Sequence, residues 1–271
     1  MKRTFKYSGI VQLNCRLHSP KKSSPDGALI PPSWAPVSAN WSEEGPVPQY
    51  APTVSDLNNG YNPAGDCQGY FMSYKYQPNN NCYAYGCNIA TNSFPQPGRA
   101  GNGNPYSTSY PFTAENVTAN AQCDGLVYAG TTMDDIKKFA RIRKATTPPD
   151  ADVRSAFGAL GGHFVALMFS PPENNIGGDT DASWPGDYHW ARCDDNVTFN
   201  SWSQKDGGDQ VTNFDFAGHL ISDPSTANWR VNQGPIGTSG SNPNDNDPNE
   251  YVVTYGFHCF MFVPNTGINI I

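Results

Sequence analysis

A cysteine follows three asparagines in the stretch NNNCYAYGCNIAT, residues 79–91. Asn80 or Asn81 is a good N-cap, so Cys82 is expected in the first turn of a short helix over 82–91. The exposed N–H groups and the positive end of the helix dipole favour an anion there and shift a thiol toward thiolate. Such a thiolate is a nucleophile, and its own backbone N–H is a ready oxyanion donor. Cys87, five residues on, faces elsewhere and reads as packing. The nucleophile needs a base, and the chain has five histidines. His18 lies in the leader, His219 at a turn, and His258 inside a strongly apolar strand, where it reads as a core residue. His163 in GGHFVAL and His189 in DYHWAR remain, each near the start of a strand behind a Gly-containing turn.

The elements that must position these residues follow from pattern. TAENVTANAQCDGL predicts a helix over 114–124, capped at Thr113 and ended by Gly125. Thr132–Ala145 predicts another, with Asp134 and Asp135 in its first turn and basic residues near its end, as the helix dipole prefers. A short strand is expected at 71–76. Further strands follow at 161–170, 187–195 and 200–206, with a loop or short strand at 209–215 and a last strand at 251–263. Helices first and antiparallel strands afterwards indicate an α+β fold. Residues 1–65, rich in Pro, Ser and Asn, read as a separate N-terminal arm with a short strand expected at Lys6–Cys15. The arm reads either as a disordered leader or as a segment that docks on the body or on another chain through Trp34, Trp41 and Tyr50. Residues 66–271 form the folded domain.

The formal charge of -7 and the lack of a basic face argue against nucleic acid. The one basic run, KKFARIRK at 137–144, reads as the solvated side of an amphipathic helix. No apolar stretch reaches membrane-spanning length. The start shows no apolar signal region, which favours the cytoplasm or a particle. Seven cysteines leave at least one thiol outside any internal pairing, and their spacing matches no zinc site. Asp179, Asp181, Ser183 and Asp187 follow part of a calcium-loop rhythm. Trp184 stands where that loop needs glycine, and the twelfth position lacks Glu, so a solvated acidic loop is the expectation. No metal and no cofactor are expected.

A cysteine that opens a helix, followed by a histidine on a later antiparallel strand, resembles the papain-like cysteine hydrolases. Among these it is most similar to the NlpC-type cell-wall peptidases and the cysteine, histidine-dependent amidohydrolases/peptidases. NCYAYGCNIATNSFPQPGRAG and DYHWARCDDNVTFNSWSQKDGGDQVTN also resemble uncharacterised bacterial and phage proteins, over roughly residues 70–263. The resemblance implies a papain-like α+β domain with N-terminal helices packed on an antiparallel sheet. It implies Cys82 as nucleophile and His189 as base, oriented by Asn213 or Asp215. Gly162-His163 also fits the family's histidine pattern, so a Cys82, His163 and His189 triad competes with that pair.

In either arrangement the thiolate attacks an acyl carbon and the imidazole passes its proton to the leaving amine. The expected activity is that of a peptidase or amidase on a peptide or cell-wall-type amide, with Tyr83, Trp190 and Trp202 as substrate-binding aromatics. For Tyr83 a place in the core is an equal alternative. The rival expectation is a non-catalytic structural or binding protein, a phage or secreted-particle component, that retains the fold. In a third, the arm plugs the cleft of a latent hydrolase.

Overall fold

The computed structural model describes residue 71 and residues 77–102, 106–146, 160–174, 183–209, 211–235 and 250–271. The N-terminal arm and all but Phe71 of the strand expected at 71–76 lie outside them. In chain order the elements are α1 (Cys82–Gly86), α2 (Arg99–Asn102), α3 (Ala114–Cys123), β1 (Val127–Gly130), α4 (Met133–Thr146), β2 (Gly162–Ser170), β3 (Glu173–Asn174), β4 (Ser183–Trp184), β5 (Asp187–Cys193), β6 (Trp202–Lys205), β7 (Val211–Thr212), β8 (Arg230–Pro235), β9 (Glu250–Thr254) and β10 (Gly256–Pro264). The α+β expectation holds. Helices pack on a six-stranded antiparallel sheet in the order β1-β10-β2-β5-β6-β7.

The apolar run of β2 places it at the centre, because a strand buried on both faces needs apolar residues at every position. Val165 and Leu167 point to one face, where Tyr83, Tyr188, Trp190 and Met261 gather with α1 and α3. Phe164, Ala166 and Met168 point to the other, with Phe216, Trp229, Phe260 and α4. Period-two alternation thus makes two cores from one sheet.

Helix ends follow local chemistry. Thr113 caps α3 by accepting from the Asn116 N–H at 3.2 Å. Gly125 ends it at φ +106, where a Cβ would lie 2.4 Å from the carbonyl oxygen of Gly267. At the start of α4, Thr132 Oγ1 accepts from the Asp135 N–H, and the Asp135 carboxylate accepts from the Thr132 N–H. This is a reciprocal capping box.

Three expectations change. The helix expected over 82–91 stops at Gly86. Asn88 adopts φ +57, and the N–H groups of Ile89 and Asn88 close back on the carbonyls of Ala84 and Tyr85. That is a Schellman closure, with Asn in the left-handed position usually held by Gly. The last strand divides at Tyr255 into β9 and β10, which pair in different sheets. Finally, β1 and β8 form where no strand was expected. Both are short, and their pairing with β10 and β9 supplies what their own sequence does not. Among the described residues no helix is long and apolar enough to cross a membrane.

Candidate functional site

The start of α1 is held firmly. Asn81 caps it, with Oδ1 accepting from the Ala84 N–H at 3.0 Å and Nδ2 donating to the Pro95 carbonyl at 2.9 Å. Below it Lys205, buried on β6, donates from Nζ to the carbonyls of Gln77, Asn80 and Gly207 at 2.6, 2.7 and 2.8 Å. Three carbonyl acceptors are what a buried ammonium needs. The sequence-level N-cap is therefore present, and Cys82 is the first residue of the helix.

The thiol itself is buried, with Cys82 only 6 % exposed. Its sulfur lies 3.9 Å from the Tyr188 carbonyl, to which it donates. Burial pushes the thiol pKa well up, and the nearby Asp187 carboxylate adds to this. The Trp190 N–H and Lys205 pull the other way without winning. Desolvation outweighs the helix dipole here. Burial therefore works against the thiolate expected from the N-cap position.

The expected base is on the wrong side. Tyr188 and Trp190 flank His189 on β5 and face α1, so His189 faces the opposite core. There its ring lies 5.2, 5.6 and 6.1 Å from the rings of Phe216, Trp229 and Tyr255. Nε2 donates to Gln204 Oε1 at 2.8 Å, and burial drives the pKa down to about 4. The sheet separates His189 from Cys82.

His163 shares the α1 face, yet it meets the far end of the helix. Its Nε2 donates to the Gly86 carbonyl at 2.6 Å, four residues and about 6 Å of helix beyond Cys82. Burial, aided by the Arg192 guanidinium, holds its pKa down to about 3. The structure brings neither histidine to the thiol as a charged partner, so neither the pair nor the triad is assembled.

The remaining expected residues are structural here. Asn213 is buried beyond β7, and its carbonyl accepts from the Ile221 N–H. Asp215 organises a turn, accepting from the N–H groups of Ala217, His219 and Asn228. The partner of His189 Nε2 is Gln204 rather than either of these. Tyr83, Trp190 and Trp202 are fully buried. Tyr83 donates to Asp124 Oδ2 at 2.8 Å and packs on Trp190. Trp202 lies across the sheet on Phe260, with Nε1 donating to the Phe199 carbonyl. All three are packed in the core of the described residues. His258, expected in the core, is half-buried at a register shift in β10.

Sequence reasoning missed the polar residues that surround the thiol. Asp187 accepts from Tyr255 Oη and from the Tyr188 N–H, both at 2.8 Å. Burial raises its pKa to about 7, and Asp206 is raised likewise to about 6. Arg192 is missed too. It is fully buried on the α1 face, donates to the Tyr85 carbonyl, Tyr85 Oη and Asn88 Oδ1, and stacks 3.9 Å over the Tyr85 ring. The alternation of DYHWARC held this signal: Tyr188, Trp190 and Arg192 share a face and so share a core. Asp179 and Asp181 of the calcium-like rhythm lie outside the described residues. Among those described, no group of three His, Cys, Asp or Glu is arranged to hold a metal.

No protein-family model matches the chain, and no solved structure matches it. Among curated proteins it is similar to Insoluble matrix shell protein 1 of Ruditapes philippinarum, with 32% identity over 168 residues. The match covers 62% of this chain and 82% of the relative. A match that spans most of the relative at that identity places the chain in the family of that insoluble matrix shell protein.

Proposed function

We propose that this protein is a non-catalytic structural or binding component of an insoluble matrix, and that Cys82 serves the fold. The observation that carries this is what the thiol does for β5. Strand β6 pairs with β5 only at Ala191–Cys193. Beyond that point β2 still pairs with Tyr188 and Trp190 on one edge of β5, while the edge on the β6 side has no ladder partner, and a buried backbone group without a partner is costly. The Asp187 carboxylate takes the Tyr188 N–H. The Cys82 sulfur donates to the Tyr188 carbonyl and accepts from the Trp190 N–H. Two side chains thus stand in for the missing residues of β6. In this reading the papain-like plan survives as architecture, a cysteine-opened helix laid on an antiparallel sheet, while the thiol's chemistry is spent on packing.

The test is the pH dependence of alkylation at each cysteine, read by peptide mass spectrometry. Cys123 is exposed and serves as the internal reference. Cys82 should react far more slowly than Cys123 between pH 6 and 8, and the full chain should show no turnover of peptide or cell-wall amides. The hydrolase reading returns if Cys82 reacts fast below pH 8, slows in His163→Ala or His189→Ala, and supports amide cleavage that Cys82→Ala abolishes.

A further inference from the structure

Helix α4 separates charge in a way the rest of the fold does not. Its inner side is apolar: Ile136 and Ala140 are buried, and Phe139 packs on Phe164 and Phe262. Arg143 is drawn inward as well, donating from Nε to the Leu160 carbonyl and lying over the Phe262 ring. On the outer side Lys137, Lys138, Arg141 and Lys144 are all exposed, Ile142 beside them is 57% exposed, and the single carboxylate there, Asp134, pairs with Lys137 at 3.3 Å and leaves the face net positive. Elsewhere among the described residues Arg192 and Lys205 are buried and Arg99 and Arg230 are half-buried. The exposed positive charge of the described molecule therefore sits on one helix face about 10 Å long, although the whole chain carries -7.

The chain also contains the complement. After Arg230 it has no further Lys or Arg, and NDNDPNE at 244–250 puts Asp245, Asp247 and Glu250 within seven residues. We infer that the basic face of α4 receives the acidic 244–250 segment of a second copy of this chain. A long polyanion fits less well, because the net negative charge of the remainder repels it once it extends past the helix. A short acidic segment engages the helix alone.

The two patches differ, so the contact is heterologous. Head-to-tail contacts that do not close into a ring propagate without limit. This supplies a mode of assembly for the proposed matrix role. It rests on that role for its setting only, since self-association is measured without reference to Cys82.

The experiment is sedimentation of the full chain over about a hundredfold range of concentration. It is run at 0.15 M salt and at 1 M, where the screening length falls to about 3 Å. Two variants accompany the wild type: Lys137→Glu/Lys138→Glu/Arg141→Glu/Lys144→Glu, and Asp245→Asn/Asp247→Asn/Glu250→Gln. Wild type should form open-ended oligomers that dissolve at 1 M salt. Each variant alone should associate at least about tenfold more weakly. Mixed together, the first still offers an acidic segment and the second a basic helix, so they should form one-to-one pairs and nothing larger. Circular dichroism checks the fold, and Lys138→Glu and Arg141→Glu singly replace the fourfold variant if it unfolds. A wild type that stays monomeric, variants that associate as wild type does, or a mixture that forms no pairs overturns the inference. So does a monomeric wild type whose α4 face instead retains heparin.

Discussion

The two faces of the central sheet solve the same problem with different chemistry. On the α1 face, polar side chains are buried in pairs and triplets: Arg192 with Tyr85 and Asn88, Lys205 with three carbonyls, Tyr83 with Asp124, and Cys82 with the β5 backbone. On the opposite face, aromatic rings dominate: Phe216 on Trp229, Trp202 on Phe260, and Phe139 on Phe164. Each face buries one histidine, hydrogen-bonded through Nε2. The α1 side is covered there by a five-residue helix. So short a helix buries little apolar area, and specific hydrogen bonds must do the positioning. The opposite side has a fourteen-residue amphipathic helix and large rings, so area suffices.

Removing Arg192 should break that contrast most severely. Arg192→Ala leaves the buried Asp194, 3.5 Å away, and the Tyr85 carbonyl without their cation. We expect a loss of about 3–5 kcal/mol by urea denaturation. On the same face His163→Ala strands the Gly86 carbonyl and should cost about 1–3 kcal/mol. His189→Phe, set among rings, should cost less than His163→Phe. Equal losses would erase the distinction between the faces.

Acid sharpens the comparison further. Both histidines have folded pKa values, about 3 and about 4, below the ordinary 6.5. The unfolded chain therefore binds more protons between pH 6.5 and 4, and their contribution to stability is lost as pH falls through that window. Asp187 has the opposite sign. Its folded pKa of about 7 lies above 3.8, so its contribution is present at low pH and is lost as pH rises toward and past 7. Asp187→Asn should match wild type most closely near pH 4, gain on it as pH rises from 4 to 7, and keep that margin at pH 8. A difference that does not change with pH would refute this assignment. The smallest effect should come from Cys82→Ser, which keeps a donor and an acceptor against β5 and should cost under about 1.5 kcal/mol. Cys82→Val, which keeps neither, should cost more.

Much of the frame was legible in the sequence. The caps at Asn81 and Thr113 and the apolar centre of β2 are local signals, and each was met; the segregation of helices before strands was met except for β1, which lies between α3 and α4. The site was not legible, for a reason visible in one strand. DYHWARC places His189 between two residues that face α1, and strand alternation alone puts it on the far side of the sheet. Whether the α1 side or the far side lies near Cys82 is set by where α1 packs, and no local signal in the chain specifies that.

Sequence by itself determined that Cys82 begins a helix, because an asparagine side chain two bonds from its own backbone decides an N-cap. It determined too that β2 is buried and that α4 carries its charge on one side. Tertiary structure alone decided what the thiol became. Its protonation depends on the water excluded around it and on Asp187, more than a hundred residues away in the chain. Its partners exist because β6 pairs with β5 only at Ala191–Cys193 and leaves the β5 edge beyond it to side chains. Desolvation and long-range pairing are properties of the packed chain, and they turned an expected nucleophile into a hydrogen-bonded part of the sheet.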